Sequence, residues 1–175
     1  NGGGIACDIE NALRMNADCM AVQTFIGTPG ESRSLELLCR TADAGTRYGI
    51  PTLGVVAVGK QMERTEKFFQ LATRVLAENG ANVVKSYFCE GFERVAAACP
   101  VPIVIAGGKK LPELDALEMA YQAIDQGAHG VDMGRNIFQS DCPAGMAQAI
   151  GKVVHEGYTA KQAYEVYQEV KNQNA

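Results

Sequence analysis

The sequence contains five short runs rich in β-forming residues, and each run is followed by a segment with helical periodicity. The runs are CMAVQTFI (19–26), PTLGVVAV (51–58), ANVVKSYF (81–88), VPIVIAG (101–107) and HGVDMG (129–134). Strand–helix units of roughly 20–30 residues are typical of a β/α array with a parallel sheet. The pattern therefore predicts an α/β fold whose strands run in the same direction.

The helical segments have apolar residues three and four positions apart and end near Gly or Asn. The clearest helices are predicted at 34–49, 64–79 and 113–127. A last helix is predicted after the N-cap candidate Thr159, with Ala163, Val166 and Tyr167 on its apolar side.

Five strand–helix units are too few to close an eight-stranded barrel. The chain also opens with a Gly-rich stretch that leads into a helix. We expect residues 1–175 to form one partial β/α-barrel domain without the N-terminal strands of the barrel; the alternative is an open five-stranded, doubly wound sheet. The run 19–26 would then be an unpaired edge strand. An N-terminal segment, a partner chain or an element exchanged in a homo-oligomer is expected to cover it.

Composition excludes several functional classes. The net charge is −4, the sequence pI is near 5.2 and no block of Lys or Arg occurs, so neither nucleic acid nor an acidic membrane surface is an expected partner. Six cysteines are scattered without a C-x-x-C pair and only two histidines accompany them, which argues against a zinc site. Reduced cysteines in apolar surroundings indicate a cytoplasmic location.

Lys85 stands near the end of an otherwise apolar run. Strand alternation places Val83, Lys85 and Tyr87 on one face. Apolar neighbours and other cations disfavour the charged form of an amine, and a neutral amine can attack a carbonyl to form a Schiff base. Three other cations end or follow strands: Lys60, Lys109 and Arg135. The alternative is a lysine that extends to the sheet rim or pairs with Asp132.

Glycines follow the next two strands at Gly107-Gly108 and at Gly134, which precedes Arg135. Glycine lets backbone N–H groups approach a phosphate, a short helix from Arg135 would add its positive end, and the guanidinium could bind in a bidentate way. Both loops could also be simple tight turns. If the three strands are neighbours, Lys85 lies about 5 Å from the strand that precedes Gly107 and about 10 Å from the strand that precedes Gly134. A small phosphorylated ketone would span that distance.

Several segments resemble one known family. VVKSYF, VPIVIAGGKKLPE, ALEM, QAIDQGA and GVDMGRNIFQSD are similar to the DeoC/LacD-type class I aldolases, over nearly the whole chain and most densely from Gly80 to Asp141. The family fold is an eight-stranded β/α barrel, and the chain resembles its last five strands.

The resemblance implies that Lys85 carries the Schiff base and that Gly107, Gly108, Gly134 and Arg135 hold a phosphate. It is strongest to members that act in autoinducer-2 breakdown. They transfer an acetyl group from a phosphorylated diketone to coenzyme A as co-substrate, with no bound cofactor, and leave dihydroxyacetone phosphate.

Two other functions stay open. The first is a fructose-bisphosphate-type aldolase, although such members have a tyrosine near the end of the strand before the lysine strand, and here that strand ends VVAVGK. The second is a non-catalytic module that binds a phosphorylated ligand.

Other residues are weaker candidates. Tyr87 could donate or relay a proton, although a packing role is favoured. Gln23 could hydrogen-bond a substrate hydroxyl. Asp132 could orient the amine, unless alternation turns it outward toward a helix. Cys89 invites an acyl-cysteine interpretation, but no histidine stands nearby to activate it, so a structural thiol is favoured.

Overall fold

The structure, a computed structural model, describes residues 4–58 and 63–173. The strands are β1 (Met20–Thr24), β2 (Thr52–Val56), β3 (Val83–Tyr87), β4 (Ile103–Ala106) and β5 (Gly130–Asp132). The helices are α1 (Ile9–Arg14), α2 (Glu31–Tyr48), α3 (Glu66–Glu78), α4 (Phe92–Ala98), α5 (Glu113–Asp125), α6 (Arg135–Phe138), α7 (Pro143–Glu156) and α8 (Ala160–Gln173). The chain divides into two compact units, residues 1–103 and 104–175, which are described in turn.

Each predicted run forms a strand, shorter than its run by a few residues, and the predicted helices are present. Their ends follow the local signals. The Thr65 hydroxyl accepts a hydrogen bond from the Phe68 N–H at the start of α3, and α2 ends at Gly49 in the left-handed conformation. The Thr159 hydroxyl caps α8 by accepting from the Gln162 N–H.

Unit 1 is built on a parallel sheet whose strands pair in chain order. β1 pairs with β2 and β2 pairs with β3. The Val84 N–H also donates to the Pro102 carbonyl, so the segment that enters β4 lies beside β3. Helices α2 and α3 pack on these strands. A Cβ on Gly54 of β2 would lie 3.0 Å from a methyl carbon of Leu76 in α3, which shows how closely that helix approaches.

In unit 2, β4 pairs with β5 in parallel, helices α5, α7 and α8 pack against one another, and Val131 of β5 packs against their buried cluster. The largest fully buried side chain is Tyr167 of α8, as the apolar side of that helix predicts. Its hydroxyl is buried without a hydrogen-bond partner among the described residues, and burial raises the pKa of the phenol. The buried cluster consists of Ala116, Leu117, Ala120, Met133, Cys142, Met146, Ala149, Ile150, Val153, Ala160, Ala163 and Tyr167.

A groove of about 460 Å³ runs along β1, between that strand, the segment that leads into α1, and α2. Most of its lining is apolar, with Ile5, Met20 and Leu37 among the residues that form its walls. We predicted from the sequence that an element outside residues 1–175 covers β1. That element, and the homo-oligomer that could supply it, stay predictions.

None of the helices in the described part of the chain combines the length and apolar character needed to cross a lipid bilayer.

Two helical glycines should respond in opposite ways to alanine. A Cβ on buried Gly45 of α2 would clash with the Ile50 carbonyl oxygen, whereas a Cβ on Gly151 of α7 would meet nothing within 4 Å. We expect Gly45→Ala to lower the free energy of unfolding by about 1–3 kcal/mol through overpacking. Gly151→Ala should raise it by about 0.5–1 kcal/mol, since alanine has the better helix propensity. Urea unfolding followed by circular dichroism measures both, and equal effects would contradict the packing of α2.

Candidate active site

Lys85 occupies the third position of the five-residue strand β3, and strand alternation assigns its face. Val84 and Ser86 are fully buried, whereas Val83, Lys85 and Tyr87 are partly exposed. On the adjacent strand, Gly54 is buried, and a Cβ at that position would lie 3.0 Å from Leu76 of α3. The ammonium group therefore projects from the side of the sheet that the helices do not cover.

Pairing register places three residues of unit 1 in one row. Gln23 of β1 is the partner of Val55 in β2, and Val55 is the partner of Lys85 in β3. Paired residues of parallel strands point to the same side, and strands lie about 4.8 Å apart. The sequence candidates Gln23 and Lys85 thus share a face and stand two strands, or about 10 Å, apart. Gln23 also lines the groove beside β1.

Tyr87 is the last residue of β3, and its ring lies against two side chains near the start of α3. The ring centroid is 6.2 Å from that of Phe69, which is fully buried. The guanidinium carbon of Arg64 lies 4.2 Å from the Tyr87 centroid, a cation–π contact. These contacts agree with the favoured packing role, and a catalytic role for Tyr87 stays a prediction. No sequence pattern indicates the contact of Arg64, because Tyr87 is distant from it along the chain.

Cys89 lies two residues beyond β3 in a partly buried position. Burial raises the pKa of its thiol, and the carboxylates of Glu66 and Glu93 raise it further. The neutral thiol is therefore favoured over the thiolate that a nucleophile requires. This environment agrees with the structural role expected from the sequence.

In unit 2, Gly107 and Gly108 follow β4, and each has its own reason to be glycine. Gly107 is buried, and a Cβ there would lie 2.9 Å from Cγ of Met133 and 3.0 Å from Nδ2 of Asn136. Gly108 has a φ of +64° with open space around it, so its backbone conformation is what excludes larger residues. Gly108 is the more accessible of the two.

Asn136 is a site residue that the sequence analysis did not single out. Its side chain is fully buried. Nδ2 donates to the Gly107 carbonyl at 2.7 Å, and Oδ1 accepts from the Leu111 N–H at 2.7 Å. The signal was weak but present, because Asn has a low helix propensity and here occupies the first turn of α6.

The loop after β4 is also fixed from within. Lys110 donates to the Leu111 carbonyl and to Oε1 of Glu113, both at 2.7 Å. The hydrogen bond from Lys110 lowers the pKa of Glu113 from its ordinary value. Lys109, the other lysine of the loop, is exposed.

Gly134 and Arg135 stand at the start of α6 and are both exposed. The Ile137 and Phe138 N–H groups donate to the Gly134 carbonyl, which fixes this turn. The predicted short helix from Arg135 is present as α6. Asp132 pairs in register with Ala106 and is exposed, whereas its neighbour Met133 is buried in the helix-covered core. Asp132 therefore lies on the face of β5 opposite the helices, and the outward orientation that the sequence left open does not occur.

The unit boundary separates these residues into two groups. Unit 1 contains Gln23, Lys85 and Tyr87, and unit 2 contains Gly107, Gly108, Asp132, Gly134 and Arg135. Lys60, considered above as a neighbouring cation, lies outside the described residues. Within those residues, no group of three or more His, Cys, Asp and Glu side chains is placed to hold a metal ion.

Comparison with solved structures supports the fold. An archaeal fructose 1,6-bisphosphate aldolase superposes with a TM-score of 0.81 at 24% identity over 90% of this chain and 67% of its own. A fructose-bisphosphate aldolase from Slackia heliotrinireducens superposes with a TM-score of 0.84 at 21% identity over 95% of this chain and 59% of its own. The predicted β/α-barrel fold class is confirmed, in preference to a doubly wound sheet.

Sequence relatives are much closer. A 3-hydroxy-5-phosphonooxypentane-2,4-dione thiolase of an Enterobacter species is 57% identical over 95% of this chain, and one of Yersinia enterocolitica is 56% identical over 93%. An uncharacterized aldolase of Pasteurella multocida is 57% identical over 93%. The chain spans 56–57% of the length of these relatives. The model of the DeoC/LacD family aldolases matches residues 5–140, and the chain belongs to this family.

Proposed function

We propose that the chain is part of a class I, Schiff-base-forming enzyme whose lysine nucleophile is Lys85. The observation that carries this proposal is the position of Lys85 on the sheet face that the helices leave uncovered. A lysine packed under the helices could not meet a substrate carbonyl. On the uncovered face, the amine of this partly exposed side chain can reach one.

The activity best supported is a thiolase that transfers an acetyl group to coenzyme A. Relatives more than 55% identical carry the name 3-hydroxy-5-phosphonooxypentane-2,4-dione thiolase, and we propose that phosphorylated diketone as substrate. The place of the reaction would be autoinducer-2 breakdown. The six free cysteines fit a reducing, cytoplasmic compartment.

The proposed chemistry uses Lys85 as an electron sink. Its amine condenses with the ketone next to the phosphate-bearing carbon and releases water. The coenzyme A sulfur bonds to the acetyl carbon, and the bond between that carbon and the rest of the substrate breaks. The electron pair of the broken bond passes to the protonated imine and gives an enamine. Protonation of the enamine carbon and hydrolysis then release dihydroxyacetone phosphate and restore Lys85.

The phosphate of the substrate is proposed to bind in unit 2. The backbone N–H groups of Gly108, Gly134 and Arg135 are the proposed donors, with the Arg135 guanidinium as a second contact. Gly107 is proposed to contribute to the same phosphate site, because it directly precedes Gly108 in the loop after β4. The accessible, positive-φ conformation of Gly108 and the exposure of Gly134 and Arg135 support this assignment.

Borohydride trapping tests the nucleophile. Incubation with dihydroxyacetone phosphate and borohydride should add the ligand mass to Lys85, detected by peptide mass spectrometry. Lys85→Ala should reduce trapping at least about hundredfold, since no other amine would form the imine. Lys67→Ala, at an exposed position of α3, is the matched control and should trap like the parent. Trapping that persists in Lys85→Ala would assign the chemistry to another lysine, such as Lys109.

Coenzyme A dependence separates the thiolase from an aldolase. With the diketone phosphate, acetyl-coenzyme A and dihydroxyacetone phosphate should form together in equal amounts when coenzyme A is present. Fructose 1,6-bisphosphate should not be cleaved at a comparable rate. Cleavage of the sugar bisphosphate without coenzyme A would instead establish the aldolase function. Ligand binding without either reaction would indicate the non-catalytic module.

The state of Cys89 tests the acyl-cysteine alternative. Because its pKa is raised, the thiol persists above the ordinary cysteine value of about 8.5. Alkylation by iodoacetamide should therefore rise with pH only above that value. Cys89→Ala should retain acetyl transfer within about threefold, because the thiolate form that a nucleophile needs is disfavoured here. Loss of acetyl transfer in a folded Cys89→Ala variant would restore the cysteine as nucleophile.

A further inference from the structure

The buried amide of Asn136 joins two loops of unit 2. One is the β4–α5 loop, residues 107–111, and the other is the turn from β5 into α6, which contains Gly134 and Arg135. Nδ2 of Asn136 bonds the Gly107 carbonyl and Oδ1 bonds the Leu111 N–H, each at 2.7 Å. One side chain thus holds both ends of the β4–α5 loop, with Gly108, Lys109 and Lys110 between the two anchor points.

The hydrogen-bonding groups require an amide at this position. The Gly107 carbonyl needs a donor and the Leu111 N–H needs an acceptor, and only the carboxamide of Asn offers both at this reach. The opposite orientation of the amide would set like groups against each other, so the orientation is fixed by its partners. An aspartate would place an anionic oxygen against the Gly107 carbonyl, and a leucine would leave both backbone groups unpaired.

Burial of Asn136 is costly in isolation. Taking a polar amide out of water raises the free energy of the folded state unless its hydrogen bonds are replaced, and here the Gly107 carbonyl and the Leu111 N–H replace two of them. The geometric specificity of two fixed hydrogen bonds is what the amide supplies. That specificity acts on the residues to which the phosphate is assigned, since Asn136 directly follows Arg135 and its partners flank Gly108.

Gly107 fits the same arrangement. A Cβ at this position would lie 3.0 Å from Nδ2 of Asn136 and 2.9 Å from Cγ of Met133. The absence of a side chain at Gly107 lets the Asn136 amide reach the carbonyl. The two residues therefore depend on each other: glycine at position 107 leaves space for the Asn136 amide, and that amide holds the Gly107 carbonyl in place.

We infer that Asn136 is the positioning residue that fixes the β4–α5 loop relative to the Gly134–Arg135 turn, and so sets the geometry in which unit 2 binds a phosphate monoester. This inference rests on the proposed function for its ligand. Asn136 itself does not touch the phosphate. It acts through Gly108, Gly134 and Arg135, whose N–H groups it holds in place.

Phosphate titration followed by amide NMR tests the inference. In the parent protein, inorganic phosphate should shift the amide signals of Gly108 and Gly134. Asn136→Ala should weaken this binding at least about tenfold, because two backbone anchors are lost. Gln139→Ala, which removes an exposed amide at the end of the same helix, is the matched control and should bind like the parent.

Hydrogen exchange tests the hydrogen bonds of the Asn136 side chain directly. The Leu111 amide donates to Asn136 Oδ1, so its exchange should be slow in the parent and in Gln139→Ala, and at least about tenfold faster in Asn136→Ala. If Asn136→Ala does not fold, Gly107→Ala takes its place, since its Cβ displaces the amide without removing a polar group. Both readouts should change in that variant as well.

The outcomes separate the inference from the function on which it rests. If Asn136→Ala, or Gly107→Ala in its place, binds phosphate as tightly as the parent, the role of Asn136 is overturned. The same holds if hydrogen exchange of the Leu111 amide is unchanged in that variant. A parent protein whose Gly108 and Gly134 amides do not respond to phosphate overturns both the phosphate assignment and the inference. Borohydride trapping of unphosphorylated dihydroxyacetone at Lys85 reports the imine chemistry separately and should be the same in Asn136→Ala as in the parent.

Discussion

The alternation of side chains in a parallel sheet is the constraint on which the rest of unit 1 depends. Ser86 and Thr52 lie on the helix-covered face and have hydroxyls without hydrogen-bond partners among the described residues. A small unpaired hydroxyl is tolerated there, but an unpaired ammonium would cost several times more. Moved by one residue to position 86, the lysine would face the helices. The register therefore decides both where a charged side chain is stable and where it can meet a substrate.

A second constraint, the pairing of buried backbone groups, shapes unit 2. A loop that follows a buried strand must place its carbonyls and N–H groups against partners, because water does not reach them. Asn136 supplies one partner for each end of the 107–111 loop, and Lys110 holds the Leu111 carbonyl from the other side. The loop is thereby fixed in position while Gly108 and Lys109 stay accessible. A loop with its ends fixed and its middle open is suited to present N–H groups without ordering them again at each binding event.

Local sequence patterns predicted the features that depend on residues close together in the sequence. Strands, helices, the shared face of Val83, Lys85 and Tyr87, and the short helix at Arg135 follow from periodicity and from Gly, Pro and Thr signals. What escaped prediction depends on contacts between distant residues. The Arg64 guanidinium meets Tyr87 across 23 positions, and Asn136 meets Gly107 across 29, as the residue numbers show. No periodicity records such pairs. The orientation of Asp132 was similarly open until the register with Ala106 placed it.

The glycines after β4 and β5 show why a motif and its physical cause need separate treatment. Taken from the sequence, the three glycines share one explanation, the approach of a backbone to a phosphate. In the structure only Gly108 needs its positive φ, Gly107 makes room for Asn136 and Met133, and a Cβ on Gly134 would lie 3.3 Å from the Phe138 ring. Glycines that look equivalent in a motif are thus required for different physical reasons. A larger residue at Gly107 would be compatible with the loop only if both Asn136 and Met133 moved or changed with it. These three positions are therefore energetically coupled, although no sequence pattern joins them.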